Sequence, residues 1–454
     1  MPAAGGPGLT AGAGRLRPRP VLAVPVRAAD GRPLLAPLRT ALTGTGPAVA
    51  PHPAGSPPQP LLTADLTAAE DDPTDPTVAV VGTTGSTGAP RAVLLPASAV
   101  RASATATAER LGTSGTWLLA VPAHTVAGVM VCVRSLLAGT EPEVVDLDGG
   151  FRPAAFAAAG RRVLRRSAGA VLTSLVPTQL RRLLDATGED GLAAREVLSR
   201  LDAVLVGGAA LDGLTRERAV DAGVRVVETY GMTETCGGCV YDGRPLTGVD
   251  VALEPGPGDG GRVVVSGTVV ARGYRQPTDP AGATADRGDG FAGGPRRFRT
   301  GDRGRWVDGR LHVLGRLDDV VVCGGTNVSL DAVARAARGV AGVTDAVAVG
   351  VPDEEWGTVV GLVVAAAEGH DRGAGLRAAV AETVRHEVGR AATPRRVLVA
   401  GALPLAGVGK PDRAAALGLL LDAPADETAP RAMGDHGSTV GTVPAGVATE
   451  GRQP

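Results

Sequence analysis

From Thr83 to Arg91 the chain reads Thr-Thr-Gly-Ser-Thr-Gly-Ala-Pro-Arg, directly after the apolar run Val78–Gly82. Gly85 and Gly88 permit positive φ. The hydroxyls of Thr83, Thr84, Ser86 and Thr87, together with backbone N–H groups freed by the turn, can close around phosphate oxygens, and Arg91 adds a cation just beyond. Taken alone, such a turn is equally well a solvated loop. The GxxxxGK[ST] pattern of a Walker loop is absent, as are HExxH, GxSxG and a dinucleotide-binding glycine fingerprint.

Two further features invite chemistry. Of 46 basic residues only one, Lys410, is lysine, while isoleucine is missing altogether and Asn327 is the sole asparagine. Where arginine has replaced lysine so widely, the surviving ammonium suggests a place that a forked guanidinium cannot fill. Cys236-Gly-Gly-Cys239 has the spacing of a redox pair or half a zinc site. A zinc site needs two more ligands, and no second cysteine pair or histidine cluster supplies them. Two small thiols beside a loop is the reading preferred here.

These residues need a scaffold, and the apolar pattern supplies one. Short runs rich in Val and Leu recur at Val78–Gly82, Trp117–Val121, Ala170–Ser174, Ala203–Gly207 and Arg225–Glu228, with helical spacing between several of them. Continuous apolar strands alternating with helices predict an α/β fold with mostly parallel sheets. Pro177 begins one such helix, with Leu180, Leu183 and Leu184 on one face. After about Val249, Gly-punctuated runs at Arg262–Ser266 and Thr268–Ala271 predict a β-rich subdomain, followed by a loop from Gln276 to Arg297. A smaller α+β unit is expected over 316–420, with helices Leu330–Gly339 and Leu376–Val388 and strands Asp345–Val351 and Val359–Ala365. The large domain is then 1–315. Its stretch 51–77 is rich in Pro, Ala and Asp and reads as a loose connection, and 421–454 reads as a disordered tail.

Composition narrows the classes further. With 454 residues and 44% hydrophobics the chain can bury more than one core. Forty-six basic residues against 47 acidic ones leave a net charge of -1, with no global basic field for nucleic acid or an anionic membrane. Four scattered cysteines make no secreted framework, and neither a leader nor a membrane span is read, so a cytoplasmic protein is expected. The sequence leaves open whether it forms a homodimer.

The order Thr83–Arg91 strongly resembles the phosphate loop of the adenylate-forming superfamily, which includes acyl-CoA synthetases, luciferases and peptide-synthetase adenylation domains. Other matches follow in the superfamily's order: Tyr230-Gly231-Met232-Thr233-Glu234, Phe298-Arg-Thr300-Gly301-Asp302, Gly315-Arg316-Leu-Asp318-Asp319, Gly324-Gly325, and Leu403-Pro404 with Gly409-Lys410. The resemblance implies ATP, Mg²⁺ and coenzyme A as substrates or cofactors. It implies ATP binding by the Thr83–Gly88 loop, Arg91, Gly208, Ala209 and the segment Tyr230–Glu234. Tyr230 would offer a flat face to adenine, Thr233 a hydroxyl to phosphate, and Glu234 a hard oxygen ligand to Mg²⁺. Asp302 would accept the ribose hydroxyls with Arg316 as a second contact. Asp318 would be the hinge and Gly324-Gly325 the face presented to CoA. Lys410 would bring positive charge to the carboxylate and α-phosphate where negative charge develops.

Within that superfamily, Val121-Pro-Ala-His124-Thr-Val-Ala-Gly128 with Arg134-Ser135, and Thr173-Ser174 through Thr178-Gln179-Leu180, resemble the o-succinylbenzoate–CoA ligases of menaquinone synthesis. That likeness implies adenylation of 2-succinylbenzoate and transfer of the acyl group to CoA, with His124 as a catalytic candidate and Arg134, Ser174 and Thr178 as contacts to the acid. His124 lies one position before the place of the family histidine, which is Thr125 here, and Arg91 stands where the family carries lysine. A ligase for a different acid and a non-catalytic nucleotide-binding relative are the alternatives. Intact Glu234, Asp302 and Lys410 argue against the second.

Overall fold

The computed structural model describes residues 18–84, 90–256, 260–275, 291–292, 296–317, 319–323, 325–367, 369, 373–406 and 410–424. The chain divides into two compact units, with the break between Asp319 and Val320.

The larger unit is built on two sheets and a β-rich subdomain. One sheet has five strands in the order Val21–Val26, Ala48–Pro53, Thr77–Thr84, Pro90–Pro96 and Gly273–Tyr274; its first three strands are parallel and the others antiparallel. The antiparallel pair Thr77–Thr84 and Pro90–Pro96, which carries Thr83 and Arg91, lies within it. The second sheet has seven strands, with Val226–Met232, Ala203–Gly207, Ala170–Leu175, Gly115–Leu119 and Glu143–Val144 mutually parallel. Those strands are apolar on both faces because helices cover both sides, and the expected α/β class follows. The subdomain is an antiparallel sheet of Val249–Pro255, Gly261–Gly267, Arg297–Val307, Phe291–Ala292 and Arg310–Arg316. The run Thr268–Ala271, read as a strand, is instead a turn with Val269, Val270 and Ala271 fully buried, and the strand comes two residues later.

The smaller unit places helices Leu330–Arg338, Ala374–Glu387 and Arg413–Asp422 with a three-stranded sheet, Val343–Asp353, Gly357–Ala366 and Arg396–Ala400. The last helix carries residues 421 and 422, which were expected to open the tail. Residues 425–454 lie outside the described residues. Among the described residues no helix is long and apolar enough to cross a membrane.

The stretch 51–77 is not a loose connection. Its first three residues complete the strand Ala48–Pro53, Pro60–Thr63 makes a helical turn, and Leu62 and Leu66 are buried. Pro51 and Pro53 lack N–H groups, so this strand, paired along its length with Val21–Val26, shares only the pair Val49↔Ala79 with Thr77–Thr84 and looks like a loop in sequence. The anchors are distant arginines. Arg275, 6% exposed, donates to the carbonyls of Leu61, Leu62 and Asp65 (2.7 Å for the last) and pairs with Glu70 at 3.2 Å. Arg272 donates to the Asp75 carbonyl and to the Thr77 hydroxyl, and Arg19 pairs with Asp71 at 3.2 Å. Acids that look solvated are thus neutralised from up to about two hundred positions away.

Removing Arg275 would leave the Glu70 carboxylate and three carbonyls short of a donor in a largely buried place. Arg275→Ala should cost about 3 kcal/mol of stability, read as a lower urea midpoint at unchanged m-value.

Candidate active site

Candidate residues collect at the carboxyl ends of the parallel strands, where open α/β sheets bind ligands. His124 follows Gly115–Leu119; Ser174 lies near the end of Ala170–Leu175 and Thr178 on the helix after it; Gly208 and Ala209 follow Ala203–Gly207; Tyr230 to Met232 extend past Thr229, the last residue paired with Ala203–Gly207, and Thr233 and Glu234 follow them. Gly208 takes a φ of +82° at its exposed turn. Gly231 is forced by close approach, since a Cβ there would run into the Gly237 carbonyl of the returning strand.

The Phe298–Asp302 motif divides its work among three residues. Thr300, fully buried, donates to the Val263 carbonyl at 2.8 Å and accepts from the Asp302 N–H at 3.0 Å, which fixes the backbone. Gly301 makes room for Arg316, because a Cβ would sit 2.6 Å from its Nη2. Asp302 then takes the Tyr230 hydroxyl on Oδ2 at 2.7 Å and faces Arg316 from Oδ1 at 3.8 Å. Burial, followed by the charge of Asp302, pushes the Tyr230 phenol well above its ordinary value, so it stays protonated and remains a donor. The adenine and ribose candidates are therefore joined directly.

Glu234 sits in the 3₁₀ turn Thr233–Thr235 and is 9% exposed. The Ala271 N–H donates to its carbonyl at 2.8 Å, and the Tyr274 hydroxyl donates to its Oε1 at 2.6 Å. Among the described residues no hydrogen bond is made to Oε2. A buried carboxylate with one oxygen tied and the other available suits the Mg²⁺ that travels with ATP. Arg91, paired in register with Thr83, places its guanidinium 5.1 Å from the centre of the Tyr274 ring. Tyr274 escaped the motif reading. One signal was available: it is one of only three tyrosines. Gly85, Ser86, Thr87 and Gly88 lie outside the described residues, and Thr84 ends its strand.

The acid-side candidates fare differently. Arg134, on the helix Val126–Leu137, does not reach solvent; it is 7% exposed, with its guanidinium 5.2 Å from the centre of the Trp117 ring. Its Nε has no hydrogen-bond partner, and among the described residues it makes no ion pair. His124 also has an unpartnered buried Nδ1, and burial, with the charge of His52 nearby, holds its pKa below the ordinary value. Thr125 caps the next helix, accepting from the Gly128 N–H at 3.3 Å. Ser174 is half-buried and Thr178 exposed, and neither caps the helix Pro177–Asp185: the Gln179 side chain does so, accepting from the Val176 N–H at 3.0 Å. Cys236 and Cys239 are fully buried, their thiols pushed up to about 12 by desolvation. No group of three or more His, Cys, Asp or Glu among the described residues could hold a metal ion.

Lys410 lies in the two-residue strand Lys410–Pro411, whose residues fall on either side of the division between the units, and in the smaller unit Gly325 takes a φ of +81°. Asp318 and Gly324 lie outside the described residues.

Fold and site define a class. Residues 34–275 match the AMP-binding enzyme family and residues 333–410 its C-terminal domain, and the chain belongs to that family. It is 38% identical over 334 residues to a probable 2-succinylbenzoate–CoA ligase of Mycobacterium tuberculosis, covering 72% of this chain and 80% of the relative. A 2-succinylbenzoate–CoA ligase of Enterococcus faecalis is 28% identical over 57% of this chain and 53% of its own length. Among solved structures, o-succinylbenzoate CoA synthetase from Bacillus subtilis in complex with the acyl-adenylate intermediate OSB-AMP shares the fold at a TM-score of 0.61, with 23% identity over 77% of this chain and 70% of that one. An amide bond synthetase from Marinactinospora thermotolerans aligns at 0.63, with 24% identity over 83% and 76%.

Glu228 lies two residues before Tyr230; desolvation raises its pKa above the usual carboxylate value. The folded state therefore holds this proton more tightly than the unfolded chain, and stability falls as pH rises from the ordinary range through the raised value. Glu228→Gln should flatten that part of the profile and raise the melting temperature at neutral pH, measured by thermal unfolding between pH 4 and 8.

Proposed function

We propose that this chain is an AMP-forming acid–thiol ligase that adenylates 2-succinylbenzoate with ATP and transfers the acyl group to coenzyme A. The observation that carries the choice of acid is Arg134. A guanidinium buried against Trp117 without a carboxylate partner is costly unless an anion completes it, and an aromatic dicarboxylate brings both a ring and a second charge. Ser174, at a strand-to-helix junction, and Thr178 on the first turn are the further candidates for contacts to the acid. A cytoplasmic location fits ATP and CoA as substrates.

In the first half-reaction a carboxylate oxygen attacks the α-phosphorus and pyrophosphate leaves, giving the acyl-adenylate. Tyr230 and Asp302, held together by their hydrogen bond, take adenine and ribose; Arg91 and the Thr83–Gly88 loop take the phosphates; Glu234 takes the Mg²⁺ that accompanies ATP. Lys410 places its ammonium where charge builds between carboxylate and α-phosphate. In the second half-reaction the CoA sulfur attacks the acyl carbon and AMP leaves. One small domain serves both steps if it turns about Asp318, withdrawing Lys410 and presenting Gly324-Gly325.

With ATP, Mg²⁺ and CoA, the purified protein should turn over 2-succinylbenzoate far better than benzoate or medium-chain fatty acids in a pyrophosphate-release assay; the reverse preference would remove the assignment of the acid. Arg134→Ala should raise KM for 2-succinylbenzoate more than it lowers kcat. Lys410→Ala should slow acyl-adenylate formation on the order of 10²–10³, yet still convert supplied acyl-adenylate and CoA; equal loss in both steps would refute the two-state use of the small domain.

A further inference from the structure

We propose that Tyr274 is a positioning residue of the nucleotide site, setting the spacing between the phosphate-side cation Arg91 and the metal-side carboxylate Glu234; this rests on the ligase reading above. One ring meets both groups. Its hydroxyl donates to Glu234 Oε1 at 2.6 Å, and its face lies 5.1 Å from the Arg91 guanidinium carbon. The ring is itself held: Phe291 packs edge-on at 5.1 Å, and Phe298, from the strand that carries Asp302, stands at 6.3 Å. Its backbone is paired with Val93 of the phosphate hairpin, and the neighbouring Arg272 and Arg275 are fixed to the 61–77 segment. No other side chain among the described residues donates to the Glu234 carboxylate.

The consequence is geometric. A carboxylate with one oxygen locked cannot swing freely, so Oε2 keeps one direction for Mg²⁺. Without the hydroxyl, Glu234 must find its orientation anew each time the metal arrives.

Equilibrium ATP binding across a Mg²⁺ titration, in the absence of acid and CoA, tests this apart from turnover. Tyr274→Phe keeps the ring and its packing and removes only the donor. It should raise the Mg²⁺ concentration for half-maximal ATP binding roughly tenfold, as loss of a hydrogen bond to a charged group implies, while affinity at saturating Mg²⁺ stays near wild type. Tyr274→Leu should add a severalfold loss of ATP affinity even at saturating Mg²⁺, because Arg91 loses its platform. Tyr241→Phe is the control, a buried tyrosine whose hydroxyl meets Thr107 at 3.0 Å, and should leave the Mg²⁺ dependence unchanged. Normal ATP binding by the wild type with no larger shift in Tyr274→Phe than in Tyr241→Phe would overturn the inference alone. Failure of the wild-type chain to bind ATP would overturn the ligase reading and the inference with it.

Discussion

Two phenol-to-carboxylate hydrogen bonds, Tyr230 to Asp302 and Tyr274 to Glu234, tie the nucleotide side of the site together. Each carboxylate must stay charged while partly withdrawn from water, and each is given a donor that neither titrates nor neutralises it. On the Asp302 side the charge is shared with Arg316, 3.8 Å away. The remaining architecture serves these two pairs: the subdomain brings Asp302 to Tyr230, and the two-residue strand Gly273–Tyr274 brings the second phenol to the turn holding Glu234.

Arginine performs the opposite task wherever the chain needs rigidity. Arg275 and Arg272 saturate carbonyls and acids of the 61–77 segment, and Arg110 donates to the carbonyls of Tyr241 and Pro245. A planar fork with five donors suits such work better than an ammonium does. Arg134 is the exception, buried with no such partner among the described residues, and for that reason it reads as a residue awaiting an anion.

Much of this was legible in the order of residues. Apolar runs at 78–82, 117–121, 170–174 and 203–207 mark strands because continuous burial leaves a continuous apolar signal, and the Tyr230, Asp302 and Glu234 motifs are local enough to be read as words. What stayed hidden is non-local. The strand Ala48–Pro53 is disguised by two prolines, and the acidic stretch after it looks solvated because its counter-charges stand near residue 275. Tyr274 carries no motif of its own, and its role depends on meeting Glu234 and Arg91 in space.

The strand Gly273–Tyr274 has one more effect. It pairs with Leu94 and Val93 along the outer side of Pro90–Pro96, the last full-length strand of the five-stranded sheet. If that short cover came away, the apolar segment Ala92–Leu95 would present an unpaired row of N–H and C=O groups, the kind of edge that recruits a second chain into cross-β association. The residue proposed to steady Glu234 therefore also covers this sheet edge, so the candidate nucleotide site and the protection of the sheet meet in two residues.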